Sequence, residues 1–445
     1  MDRLKYNIHT FGCKVNTYDS GLLTQRFEAK KSVDTWTNPE KSESKIHILN
    51  TCAVTSEATK EAVKLVRRLK SKDPFCTVVV TGCAAQVDTD QFSSLPGVDL
   101  VVANSHKGQI ENLIEKYFKG QLQEKVFKSL IFKKDDLEAG GGLEEDHTRS
   151  FLKIQDGCNS FCTFCVIPFA RGKSRSIPIA DLVSRANALY EKNIREVVLT
   201  GVHIGDYQDQ TNTLEDLVEI LLLKTKIPRF RLSSLEPIEL TPRLLELYRD
   251  PRLCTHFHMS IQSANTKVLR DMKRQYSAEQ VEEALKAIAT QLPHAFVGMD
   301  VIAGFPGETE EDFLDTYQRL HELPWTRLHV FPYSQRPGTL ALRLPNPVEP
   351  AHIKERARRL RELSYNRFVS EAEKQVGTVK WALPLKDSPE TLAQSQLTTR
   401  TLTRDYWPVI MEEPIQMGEE RSIKITGHRG FEKGEFSGRL TAISL

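Results

Sequence analysis

Cys158, Cys162 and Cys165 stand as C-x3-C-x2-C in the segment DGCNSFCTFCVIPFARG. Cubane iron–sulfur clusters normally take four cysteines. Three thiolates packed this closely can hold three irons and leave the fourth open to a small molecule. S-adenosylmethionine (SAM) can chelate such an iron through its amino and carboxylate groups. An electron from the cluster then breaks the adjacent C–S bond and yields a 5'-deoxyadenosyl radical. The triplet therefore points to radical chemistry on an unactivated C–H bond. A structural zinc site would usually close with four ligands in paired C-x2-C knuckles, and this chain has no second knuckle.

Cys13, Cys52 and Cys83 form a second set, spaced C-x38-C-x30-C. That spacing is no local metal motif, and its meaning comes from the elements around it. Apolar runs predict strands over Tyr6–Phe11, Lys45–Asn50, Thr77–Thr81 and Asp99–Ala103, and helical periodicity predicts helices over Asn16–Lys30, Ser56–Lys70 and Ser105–Lys119. The alternation implies an open parallel α/β sheet. Each of the three cysteines follows one of three consecutive strands, at the edge where open α/β sheets bind ligands. The thiols are thus expected to converge as ligands of a second cluster; the alternative is ordinary packing at strand ends. Cys76 and Cys254 lack a cysteine-rich motif and read as small buried residues.

A second α/β series follows the charged, GGG-bearing stretch Gln121–Ser150, which reads as a linker. Strands are expected at Phe151–Gln155, Glu196–Thr200, Phe230–Ser233, His256–Ile261, Phe296–Ala303 and Leu328–Pro332, with helices between them. Six such units suggest a partial barrel, with the Cys158 triplet after its first strand, at the C-terminal face where barrel enzymes place chemistry. PNPVEP (Pro345–Pro350) ends the series, and a charged helix follows over His352–Glu373. Short strands at Val376–Leu383, Thr398–Thr403, Trp407–Met411 and Arg421–Gly427 suit a small β-barrel, with Asp387–Gln396 as a surface loop. The expected division is 1–140, 141–370 and 371–445.

The 445 residues are 40% hydrophobic and 27% charged, an ordinary globular composition. The net charge of +2 points neither toward nor away from nucleic acid, since local patches matter more than the sum. Neither a transmembrane run nor a signal peptide is read from the sequence, and the expectation is a cytoplasmic monomer without a membrane partner.

Taken together, these residues resemble the radical-SAM methylthiotransferases over nearly the whole chain. The landmarks are FGCKVN (Phe11–Asn16), NTCAVT (Asn50–Thr55), TGCAAQ (Thr81–Gln86), the Cys158–Cys165 triplet, RLSSLEP (Arg231–Pro237), HFHMSIQS (His256–Ser263), DVIAGFPGET (Asp300–Thr309) and PYSQRPGT (Pro332–Thr339). The last segment resembles the RNA-binding TRAM domain. Two departures stand out: Gln262–Ser263–Ala264 where the family often reads QSG, and few glycines between Val379 and Thr401.

The resemblance implies two 4Fe–4S clusters and two SAM molecules. Cys158, Cys162 and Cys165 would hold the radical-generating cluster, and Cys13, Cys52 and Cys83 an auxiliary cluster on which sulfur is carried. One SAM would methylate that sulfur. The other would give the radical that abstracts hydrogen from C2 of an adenine ring, and the carbon radical would take the methylthio group. Phe164 would sit near the SAM adenine, Thr200 and Gly201 near its methionine amino group, and Glu236 and Gln262 would face the cofactor. Gly304 would let the backbone approach the adenine.

The strings CKVN, CAVT and CVIPFARGKSRS look most like the branch acting on threonylcarbamoyladenosine beside the anticodon of tRNA (position 37). The isopentenyladenosine branch tends to read CQMN, and the branch acting on a ribosomal-protein aspartate CPKN. Outside the enzymes, the competing reading is a cluster-bearing RNA-binding protein without turnover. The resemblance also implies an electron donor of flavodoxin or ferredoxin type and a sulfur donor that the sequence does not name.

For tRNA contacts, Arg171, Lys173 and Arg175 in ARGKSRS are the first candidates. A helical stripe of Lys60, Lys64, Arg67 and Arg68 and the run RARRLR (Arg356–Arg361) are further candidates, each with a solvated helix face as its alternative. Tyr406 and Trp407 would either stack on bases or pack in the small barrel.

Overall fold

The computed structural model describes residues 6–29, 45–133, 148–385, 399–411, 418–430 and 438–445. The expected Asp387–Gln396 loop and the GGG of the expected linker lie outside them.

The strands Ile46–Thr51, Thr77–Gly82 and Leu100–Ala103 are buried along their whole length. Such unbroken apolar runs belong to a parallel sheet covered on both faces. They join Tyr6–Thr10 and the two-residue strand Val126–Phe127 in a five-stranded, all-parallel sheet whose spatial order follows the chain. The fifth strand lies inside the expected linker: its two apolar residues pair with Val101 and Val102, and flanking charges conceal them in the sequence.

Six parallel strands form the open barrel. Arg229–Leu232, Glu196–Thr200 and Arg149–Lys153 make one sheet, and Ser234–Leu235, His256–Gln262, Phe296–Ala303 and Arg327–Pro332 the other. The third expected strand is broken at Ser233, whose amide donates to Leu199 O at 3.0 Å. One large apolar cluster fills the space between the strands and the helices outside them.

The helix Lys14–Ala29 packs against both the first sheet and the barrel strand Arg149–Lys153. Leu23 and Phe27 enter the core of the sheet, while Tyr18 lies under the Lys153 ammonium, 5.1 Å from its ring centroid. A helix covered on two sides lacks the one-sided apolar stripe of a surface helix, and Asn16, Asp19 and Ser20 are buried with its apolar residues.

The helix Pro350–Glu373 covers the barrel's last strand, where Ser364 Oγ accepts from Leu328 N at 2.8 Å. Its basic run is largely engaged within the protein: Arg356 is buried against Glu308, and Arg361 donates to Val330 O. Beyond it, five strands close a barrel in the order Val379–Pro384, Thr399–Thr403, Pro408–Met411, Arg439–Ser444, Arg421–Arg429. The sequence reading names four of these and misses Arg439–Ser444, a short strand at the chain's end.

This small barrel docks on the N-terminal ends of the large barrel's strands. Buried Glu196 binds Arg229 and Arg231, whose guanidinium groups donate onward to the carbonyls of Leu402, Thr403 and Arg404. Tyr406 stacks on His256 at 3.8 Å, and Trp407 stacks on Phe368 at 5.2 Å. Of the two readings for these aromatics, packing is the one realised. Glu196→Gln is expected to cost about 3–5 kcal/mol, because it leaves buried Arg231 without a counter-charge and Arg229 with Glu420 alone. Urea unfolding measures the loss, and hydrogen exchange at residues 402–404 reports whether the junction opens first.

Candidate active site

The first triplet sits in the loop that follows Gln155–Asp156. Hydrogen-bond donors are aimed at each sulfur. Ser160 N lies 3.4 Å from Cys158 Sγ, Ile167 N 3.4 Å from Cys165 Sγ, and Arg274 Nη1 3.4 Å from Cys162 Sγ. Burial works to raise the Cys158 thiol, but His203 Nδ1 at 3.9 Å and Ser160 bring it below its ordinary value. Burial, with the neighbouring Cys162, pushes Cys165 up to about 12.

A ring of contacts joins these sulfurs to later strand ends. Arg274 bonds Glu236, His203 lies 3.6 Å from Glu236, and His203 also bonds Glu239. Glu236, read from the sequence as facing the cofactor, belongs to this ring. Phe164 lies edge-on to Phe305 at 6.3 Å, with the Arg274 guanidinium 6.0 Å away. Thr200 ends the second barrel strand with Gly201 directly after it, and Gln262 ends the fourth at φ 62°. Gly304 is glycine for a reason beyond the expected one. Its φ is +78°, a Cβ there would meet Ile353 at 2.5 Å, and its amide is taken by Glu308. Ala264, which replaces the family's common glycine, is fully buried in the barrel core. His203, Arg274 and Glu239 were not found from sequence: these contacts span 36–112 residues, with no local pattern to join them.

The second triplet follows three neighbouring strands of the first sheet, as expected. Cys13 is exposed, whereas Cys52 and Cys83 are buried. Gly12 makes room for Cys52: its φ is +90°, and a Cβ would lie 2.4 Å from Cys52 Sγ. Burial pushes Cys52 up to about 12, with Cys83 and Cys13 adding to the shift. Asn104 Nδ2 stands 3.6 Å from Cys83 Sγ, and Arg171 Nε donates to that sulfur at 3.2 Å.

Arg171 corrects one expectation. Read as a surface cation for RNA, it is 4% exposed. Its Nη1 bonds both oxygens of Asp156 at 3.0 and 3.1 Å, and its Nη2 bonds Asn16 at 2.6 Å and Asp19 at 3.0 Å. Lys153 and Lys107 also reach Asp19, at 2.8 and 3.1 Å. Burial would raise Asp156, but Arg171 and Lys153 hold it down at about 2. Of its companions, Lys173 is exposed, while Arg175 is half-buried and donates to Arg171 O. The helix Ser56–Lys72 does present Lys60, Lys64, Arg67 and Arg68 to solvent.

Both triplets fit clusters better than single ions. Among the described residues, the metal-competent groups whose ligand atoms lie within 4.8 Å of one another are Cys158, His203 and Asp206; neither cysteine triplet is drawn together that tightly. A cluster spaces its thiolates more widely than one ion does. All six cysteines are free. Cluster binding would take the protons from Cys52 and Cys165, since the ligand is the thiolate.

Inside the large barrel, His258 lies between Ser234 Oγ at 3.0 Å and Asp300 Oδ1 at 2.9 Å. His329 faces them, 5.5 Å from the His258 ring, and burial pulls it down to about 4, with Arg327 adding to the shift. A histidine depressed in the fold leaves the unfolded chain holding more protons between pH 6.5 and about 4. Stability at this residue is therefore complete above pH 6.5 and is lost as pH falls toward 4. In thermal unfolding across that window, His329→Gln is expected to lose less stability on acidification than the native protein.

A parallel-stranded open barrel carrying a C-x3-C-x2-C loop beyond its first strand defines a radical-SAM enzyme. Residues 152–320 match the radical SAM superfamily, and residues 5–103 match an uncharacterized protein family, UPF0004. The solved radical S-adenosylmethionine methyltransferase TsrM from Kitasatospora setae shares the fold, with a TM-score of 0.55 at 14% identity over 75% of this chain and 74% of that one. A threonylcarbamoyladenosine tRNA methylthiotransferase, MtaB, from Aquifex aeolicus is 35% identical over 94% of this chain and 98% of its own length. The protein of that name from Bacillus subtilis is 36% identical over 80% and 79%. A tRNA-2-methylthio-N(6)-dimethylallyladenosine synthase from Methylobacillus flagellatus is 32% identical over 84% and 86%. The chain belongs to the radical-SAM tRNA methylthiotransferases. No helix among its described residues is long and apolar enough to cross a membrane.

Proposed function

We propose that the enzyme methylthiolates C2 of N6-threonylcarbamoyladenosine at position 37 of tRNA. One 4Fe–4S cluster is held by Cys158, Cys162 and Cys165, and a second by Cys13, Cys52 and Cys83. The observation that carries this reading is the pair of thiol triplets, each beyond the carboxyl edge of its own parallel sheet. Arg171 joins them, touching Cys83 Sγ and, through Asp156, the loop of the first triplet. When bound, the clusters and SAM supply the radical and the methylated sulfur.

The chain's own residues bind and orient. His203 and Arg274 place positive charge and N–H donors beside Cys158 and Cys162. Thr200, Gly201, Glu236 and Gln262 receive the polar end of SAM, and Phe164 with the Ala303–Gly304 backbone flanks its adenine. Lys64, Arg67 and Arg68, exposed and without ion-pair partners among the described residues, meet the tRNA backbone with Lys173. Phe161 and Phe169, 42% and 44% exposed and packed with Phe132 at 5.9–6.2 Å, offer a stacking face beside Cys162. A flavodoxin- or ferredoxin-type protein donates the electron.

The substrate in the names of the Aquifex and Bacillus relatives supports the threonylcarbamoyl reading, while the Methylobacillus relative keeps the isopentenyl arm as the second. Mass spectrometry of nucleosides from bulk tRNA decides between them. In cells lacking the protein, methylthio-threonylcarbamoyladenosine should vanish while threonylcarbamoyladenosine persists. Loss of the isopentenyl methylthio-nucleoside instead would favour the second reading, and no change in either would overturn both.

A further inference from the structure

A cavity of about 500 Å³ opens inside the large barrel, between the strands His256–Gln262, Phe296–Ala303 and Arg327–Pro332 and the small C-terminal barrel. Its lining is electrically lopsided: five lysines and arginines stand against one acid, Asp300. Asp300 already bonds His258. Arg149 is engaged with Glu196 at 3.4 Å. Lys14, by contrast, has no hydrogen bond or ion pair among the described residues, although it is mostly buried. An ammonium withdrawn from water without a counter-ion is unfavourable, and an anionic guest would remove that penalty.

The cavity is linked to both thiol triplets. Lys14 directly follows Cys13. On the other wall, Asp300 accepts from Ser260 Oγ at 3.4 Å, Ser260 O accepts from Arg274 Nη2 at 3.1 Å, and Arg274 Nη1 donates to Cys162 Sγ at 3.4 Å. A group seated here is thus one residue from one triplet and three contacts from the other.

We infer that this cavity receives the arm on N6 of the target adenosine, and that Lys14 binds the arm's carboxylate. The inference rests on the threonylcarbamoyl reading, whose substrate carries an amino-acid carboxylate, a hydroxyl and a urea. Asp300 accepts from the hydroxyl or a urea N–H. A prenyl arm offers no charge and would leave Lys14 desolvated and unpaired, so the same residue that binds the acid discriminates against the apolar arm.

The test compares anticodon stem-loop RNAs bearing threonylcarbamoyladenosine as the free acid or as its methyl ester, bound to the reconstituted enzyme. The ester should bind at least about tenfold more weakly, the loss expected for one charge-assisted bond. Lys14→Gln, matched to the native protein in iron content, should bind the two RNAs equally. Equal binding of acid and ester by the native enzyme would overturn the inference; if both are methylthiolated, the substrate reading survives that result. Turnover of an isopentenyladenosine stem-loop with none of the threonylcarbamoyl RNA would overturn both. Should Lys14→Gln fail to load iron, the acid–ester comparison on the native enzyme alone decides.

Discussion

Cys162→Ala protein is expected to lose SAM cleavage and tRNA methylthiolation together, whereas Cys13→Ala protein is expected to keep SAM cleavage and lose methylthiolation. The separation follows from where the thiols stand. Cys162 belongs to the barrel loop, with Arg274 directed at its sulfur. Cys13 follows the first strand of the other sheet and is exposed. A 4Fe–4S cluster stripped of one of three protein ligands loses its anchorage, and each triplet has its own set of donors. Both losses should be complete within assay limits. Release of 5'-deoxyadenosine and nucleoside mass spectrometry measure the two activities separately. Loss of SAM cleavage in the Cys13 variant would contradict the assignment of separate clusters.

Arg171→Leu is expected to destabilise the protein by about 3–5 kcal/mol, the range for removing one partner from a buried ionic group. The native guanidinium satisfies Asp156, Asp19, Asn16 and Cys83 from one planar fork. With it gone, Lys153 and Lys107 still face Asp19, but of its cationic partners Asp156 keeps Lys153 at 3.3 Å, beside the Gly157 amide at 2.8 Å. Its carboxyl, now about 2, should rise. A depressed carboxyl contributes stability that is full above its unfolded value of 3.8 and is lost as pH falls toward 2; that acid-sensitive share should shrink in the variant. Arg171→Lys keeps the charge but not the fork, and an intermediate loss is expected. Denaturant unfolding checks stability, and iron content checks whether the second triplet still loads. A neutral effect of Arg171→Leu would mean that the buried network does not hold sheet and barrel together.

Much of this architecture was legible because its signals are local. Apolar runs of four to eight residues marked the strands, and the Glu196–Thr200 and Phe296–Ala303 strands have the expected bounds. The two cysteine triplets were legible because each thiol follows a strand or adjoins its neighbours. Arg171 was misread for a physical reason: ARGKSRS looks like solvated cations, and nothing local reveals that Asp19, 152 residues away, is buried against it. The ring of His203, Arg274 and Glu236 was hidden in the same way, being assembled from the ends of different strands. Val126–Phe127 and Arg439–Ser444 escaped because short strands flanked by charge or by the chain end show no period. CKVN carried more than it showed: the string that sets the branches apart contains Lys14, whose place in the barrel cavity only the fold reveals.

The most direct measurement is iron and sulfide content, with Mössbauer spectra, of anaerobically reconstituted protein beside a triple alanine variant of Cys158, Cys162 and Cys165. About eight irons falling to about four is expected if each triplet holds a 4Fe–4S cluster. About four falling to none would show that Cys13, Cys52 and Cys83 hold no cluster, and would contradict the two-cluster mechanism.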